Sequence, residues 1–162
     1  MLLLNDYITT VEKAFDEICP NWRDYEGLII CGTHSPKDVE NQINIIQSAR
    51  ESGTPALGIC FGYQLMAIEY ARNVLGIKDA TSEEFGKGTF IVKKLPYLNV
   101  GLKEGETYWN NYSVDPEFIK KWEMPKNFIG VQSHPEYQSS KDRPHPTLVK
   151  FIDILKEYAK RN

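Results

Sequence analysis

"GICFGYQ", Gly58 to Gln64, joins an apolar run to a segment of helical period, and its reading decides the fold. Before it, "TPAL" begins a stretch that is apolar on both faces, as expected of a strand buried in a parallel sheet. After it, "FGYQLMAIEYARNVLG" spaces Leu65, Ile68, Ala71 and Leu75 for one helix face, so these four are expected in the core, with Gly76 closing the helix. A nucleophile at the C-terminal end of a strand must turn sharply, and small residues two positions before and after it prevent collision. Gly58 and Gly62 meet that demand around Cys60. On this stretch alone two readings stay level. Cys60 is a nucleophile at a helix N-terminus, which favours a thiolate, or it is a buried thiol in a connection that uses glycine for packing.

Outward from this turn, strand and helix patterns alternate. "MLLL" and "YEGLIICG" read as strands, "YITTVEKAFDEI" as a helix ended by Pro20, and "VENQINIIQSARESG" as a helix with Gly53 at its C-cap. This order implies an α/β protein with a parallel sheet. From Lys78 the pattern becomes irregular, with strand candidates "GTFIVKKL" and "YLNVGL" and a polar-aromatic stretch "ETYWNNYSV". "NFIGVQSHPEY" reads as a strand running into a loop, and "HPTLVKFIDILKEYAKRN" as a last amphipathic helix with a basic end. No repeat or linker interrupts the chain, so residues 1–162 are expected to form a single domain.

Composition narrows the partners. The 162 residues carry a net charge of −3 with no basic run, which argues against nucleic acid. No apolar stretch approaches the ~20 residues of a membrane-spanning helix, and "MLLLND" lacks the features of a signal peptide. Cys19, Cys31 and Cys60 are odd in number and have no CxxC spacing, so neither a disulfide framework nor a metal site is expected. A cytoplasmic protein with reduced thiols fits these features.

A thiol nucleophile needs a base. His134, in "QSHPEY", follows a strand candidate and so lies at the sheet edge where open α/β folds build their sites. Glu136 stands where it can accept the other imidazole N–H and fix the tautomer. A polar turn is the plainer reading of His-Pro-Glu alone; together with the Gly-x-Cys-x-Gly turn it completes a Cys-His-Glu relay.

"GICFGYQ" followed by "HPE" resembles the class I, or triad, glutamine amidotransferases. "GICFGYQLMAIEYARNVLGIKDATSEEF", Gly58 to Phe85, and "VQSHPEYQSS" are similar to the glutaminase domain of CTP synthases. The resemblance runs from about Tyr25 onward, with a shortened middle between Gly86 and Lys126. It implies a flavodoxin-like, open and mostly parallel sheet with helices on both faces, shortened at its N-terminal end, and no cofactor. It further implies hydrolysis of a glutamine side-chain amide through a γ-glutamyl thioester. Carried over, Cys60 is the nucleophile, His134 the base and then acid, and Glu136 its orienting partner. Phe61 supplies an oxyanion N–H, and Gln64 and Glu84 hold the α-amino end of the substrate.

Three departures bear on that reading. The family's second oxyanion donor comes from a glycine pair, replaced here by Gly32-Thr33, and a flipped peptide costs threonine more than glycine. His34 follows, as a surface loop residue or as a contact to the leaving group. CTP synthases place an arginine before a tyrosine to hold the substrate carboxylate, where this chain has Asn111 and Tyr112; an amide lacks the bidentate, charged grip of a guanidinium. Tyr108, Trp109 and Tyr112 read first as core, or else as a flat wall for a ring-bearing leaving group. "MLLL" fits either the central first strand of a sheet that lacks an edge strand, or a second strand beside a gap; loss at the edge buries fewer unpaired backbone groups. The chain has no GxxxxGK[ST] loop for a synthetase reaction. The expected substrate is therefore glutamine, its ammonia passing to a separate synthetase subunit, or another γ-glutamyl amide hydrolysed by the chain alone. An inactive binding module is the remaining alternative.

Overall fold

A computed structural model describes residues 1–162. In chain order its elements are β1 (Leu2–Leu4), α1 (Ile8–Ile18), β2 (Leu28–Ile30), α2 (Val39–Ser52), β3 (Ala56–Ile59), α3 (Phe61–Asn73), β4 (Ala80–Ser82), β5 (Thr89–Lys103), β6 (Glu106–Val114), α4 (Pro116–Ile119), β7 (Phe128–Val131) and α5 (Pro146–Arg161). Four strands form a parallel sheet in the order β1-β2-β3-β7. Alternation along the strands sends their apolar side chains to both faces. Leu28 and Ile30 pack with Ile43 and Ile46 of α2 and with Leu65 and Ile68 of α3. Ile29, Leu57 and Ile59 pack on the opposite face with Val11 and Phe15 of α1 and with Leu148 and Phe151 of α5. The central strands β2 and β3 are fully buried between two helical layers, which is why neither alternates polar with apolar residues.

β1 is an edge strand, with Leu3 opposite Ile29 in register, and the sheet has no gap. This is the edge-loss reading of "MLLL": the order is the 2-1-3-4-5 of a flavodoxin-like sheet without its outer strand 2. Gly53 caps α2 as expected, in the left-handed region with its N–H directed at the carbonyls of Ala49 and Arg50.

Two expectations need correction. α3 ends at Asn73, three residues before Gly76, and the N–H groups of Val74 and Leu75 both turn back to the Tyr70 carbonyl. Leu75 therefore leaves the helix face and is 40% exposed, while Leu65, Ile68 and Ala71 are buried. "GTFIVKKL" and "YLNVGL" are not two strands but the single β5, and "ETYWNNYSV" is its antiparallel partner β6. The pairing slips between Lys94 and Asn99, a bulge that accommodates Pro96, which has no N–H for the ladder. Glu104 and Gly105 both have positive φ, as a two-residue turn matched to strand twist requires. β4, β5 and β6 make a second small sheet.

α3 carries a buried carboxylate. Glu69 is 1% exposed and receives Nε and Nη2 of Arg50 at 2.9 Å and the amide of Asn73. The pair joins α3 to α2. Glu69→Ala, which strands the guanidinium, is expected to lower unfolding stability by about 3 kcal/mol in urea titration. No helix is long and apolar enough to cross a membrane.

Candidate active site

β3 delivers Cys60 to the N-cap of α3 with φ 53° and ψ −105°, a strained conformation for a residue with a side chain. The flanking glycines are sterically required. A Cβ on Gly62 would lie 2.1 Å from the Ile30 carbonyl oxygen, and one on Gly58 would lie 2.8 Å from the Tyr63 amide nitrogen. α3 thus crosses β2 too closely for any side chain at position 62. Had the turn been a packing device alone, a relaxed backbone at residue 60 would have served.

At the end of the neighbouring strand β7, His134 precedes a 3₁₀ turn, Pro135–Tyr137, that Pro135 opens. The turn brings Glu136 Oε1 to 2.7 Å from His134 Nδ1, with both residues at most 3% exposed. A carboxylate only accepts, so Nδ1 carries a proton held by Glu136, and Nε2 is the ring nitrogen left to face other groups. Nε2 is buried without a partner, as is Glu136 Oε2. Burial disfavours the imidazolium, but the neighbouring Cys60 sulfur and the Glu136 carboxylate more than offset it and raise the His134 pKa to about 9. Gly32 separates the two strand ends: a Cβ there would sit 2.9 Å from His134 Cε1 and 3.6 Å from Cys60 Cβ.

A cavity of about 180 Å³ opens over Cys60. That is below the 300–1,000 Å³ of pockets for drug-sized ligands and suits an amino-acid side chain. Phe61, Thr33, Gln64, Glu84, Asn111 and Tyr112, all marked by the sequence, line it. Phe61 is the first residue of α3, where backbone N–H groups lack helical acceptors. The N–H groups of Gly32 and Thr33 likewise have no acceptor within the chain. Thr33 keeps a negative φ, and its hydroxyl donates to Asp6 and accepts from the Ser35 amide, which fixes the loop. Burial in the pocket raises the Glu84 pKa although one side of that residue meets solvent. Asn111 is exposed opposite the β5 bulge, and Tyr108 does not line the cavity. Trp109 is not core: it is 43% exposed and forms cavity wall with Tyr112, which itself packs against the apolar core as expected.

Several contributors escaped the sequence reading. Gln132 Nε2 donates to Cys60 Sγ at 3.6 Å, and its oxygen accepts from Gln64. β6 fastens the site through its main chain: Thr107 O accepts from the His134 amide, Trp109 O from the Cys60 thiol, and Tyr112 O from Gln64 Nε2. Tyr7 sets its ring edge-on to both His134 and His34. "VQSHPE" held Gln132 in view, but nothing local in β6 or at Tyr7 signals contact with residues so distant in sequence.

Comparison with known proteins agrees with this geometry. The family described as glutamine amidotransferase class-I matches residues 5–124. CTP synthase of Methanoculleus marisnigri is 32% identical over 83% of this chain and 34% of its own length. CTP synthase of Sulfolobus acidocaldarius is 31% identical over 89% of this chain and 37% of its own. The chain thus spans about a third of these relatives. The glutaminase domain of Trypanosoma brucei CTPS, solved with bound acivicin, superimposes with a TM-score of 0.71 at 19% identity, covering 96% of this chain and 92% of that one. In fold and in sequence, the chain belongs to the class I glutamine amidotransferases.

Proposed function

We propose that residues 1–162 act as one glutaminase unit, hydrolysing the side-chain amide of glutamine through Cys60, His134 and Glu136. The strained elbow of Cys60 beside a buried imidazole whose Nε2 lacks a partner supports this reading above all. The thiol proton passes to His134 Nε2, and the thiolate sulfur attacks Cδ. The oxyanion that forms lies against the Phe61 N–H and those of Gly32-Thr33. His134 then passes the proton to the departing nitrogen, the C–N bond breaks, and ammonia leaves a γ-glutamyl thioester. Water, deprotonated by His134, cleaves the thioester to glutamate and restores the thiol. Gln64 and Glu84 receive the α-ammonium, and Asn111 and Tyr112 lie at the carboxylate end.

The relatives' names add the acceptor. The likeness to CTP synthases supports delivery of the ammonia to a synthetase partner in the cytoplasm. The reaction is tested with a glutamine-like diazoketone. Intact-protein mass spectrometry should find one adduct, mapped to Cys60 and absent from Cys60→Ser, together with glutamate release from glutamine that this variant lacks. An unlabelled Cys60 in the folded protein, or undiminished activity in Cys60→Ser, overturns the reading.

A further inference from the structure

Thr33, His34 and Trp109 line the cavity over Cys60 together with Glu84, Gln64 and Tyr112, and the Tyr7 ring links His34 to His134, beside which a leaving nitrogen collects its proton. Ammonia needs no wall there. Instead the His34 and Trp109 rings sit 4.4 Å apart, and Tyr7 braces His34 at 5.7 Å and His134 at 6.2 Å. The Trp109 carbonyl accepts from the Cys60 thiol, which sets this residue beside the sulfur. Trp109 and His34 are nonetheless exposed, so this wall opens outward and leaves aromatic surface uncovered.

We propose that Tyr7, His34 and Trp109 form a leaving-group subsite for γ-glutamyl amides whose amine carries a flat ring. The proposal rests on the Cys60 chemistry described above and extends it from glutamine to a second class of γ-glutamyl amide. Sulfur attacks Cδ, the Cδ–N bond breaks, and the proton on His134 Nε2 goes to the departing nitrogen, releasing a ring-bearing primary amine in place of ammonia. Water then hydrolyses the thioester to glutamate. Stacking of such a ring on Trp109 favours the substrate in the ground and transition states alike, and is worth about tenfold in kcat/KM.

The test compares γ-glutamyl benzylamide with γ-glutamyl methylamide, two alkylamides that differ chiefly in the ring, by glutamate release from the full chain. The benzylamide should be favoured about tenfold. Trp109→Ala should bring the ratio to within about twofold, and His34→Ala should reduce it. Equal rates in the wild type, a ratio unchanged by Trp109→Ala, or no turnover of the benzylamide by protein whose Cys60 still takes the diazoketone would overturn the subsite alone. Failure of Cys60 to take the diazoketone would overturn the underlying reaction.

Discussion

His134→Asn is expected to lower glutamine hydrolysis about 10⁴-fold with the fold intact, measured as kcat/KM for glutamate release. Asparagine can keep a contact to Glu136 but cannot move a proton between the thiol and the leaving nitrogen. Glu136→Gln should also be strongly impaired, because an amide there no longer dictates which imidazole nitrogen is the base. The same histidine links folding to pH. Its pKa is about 9 in the folded protein, against the ordinary 6.5 of the unfolded chain. The folded state therefore holds this proton more tightly, a stabilisation fully present below pH 6.5 and lost as pH rises through about 9. Urea midpoints of the wild type should fall across that window, and His134→Asn should flatten this component. An unaltered pH slope in the variant would separate His134 from the linkage.

Gly62→Ala should destabilise the protein by about 3 kcal/mol or more, the largest effect expected of a single methyl group in this chain. Its Cβ would meet Ile30 at three points, the carbonyl oxygen at 2.1 Å, Cβ at 2.7 Å and the carbonyl carbon at 2.8 Å. Two of those atoms are backbone of a strand hydrogen-bonded on both sides, so the contact is relieved only by moving α3 off the sheet. Cys60 rides on that helix and activity should fall with stability. Gly53→Ala is the control: the backbone is left-handed there, unlike at Gly62, but nothing lies within 4 Å, so only the conformational cost of about 1 kcal/mol applies. Chemical denaturation of the two variants measures the difference. Similar midpoints would mean that α3 can shift without loss.

What the sequence disclosed and what it hid divide along a physical line. The elbow was legible because its constraint is local: helix and strand meet within five residues, and only glycine fits at both flanks. His134 and Glu136 were legible for the same reason, the partners being two residues apart with a proline holding the turn. Leu75 was misplaced because helical period cannot show where a helix stops, and the backbone left the period just before it. β5 was split in two because Pro96 looks like a terminator, yet an antiparallel partner can bridge a bulge that propensity reads as an end. Gln132, Tyr7 and the carbonyls of β6 act across tens of residues, and no spacing rule reaches that far. Trp109 was assigned first to the core because aromatic residues usually are; the hairpin instead holds it over a cavity.

The hairpin also sets how the site fails. Cys60 and His134 sit on different segments, the one at the start of a helix packed into the sheet and the other at a short turn. Three main-chain carbonyls of β6 join them, reaching Cys60, Gln64 and His134. β6 is the outer strand of the small sheet and is not part of the parallel one. Its detachment is a local opening, governed by its own free energy rather than by that of the whole molecule. Catalytic competence is then a property of the hairpin's closed population, and it can be lost in a protein whose central sheet is still fully folded.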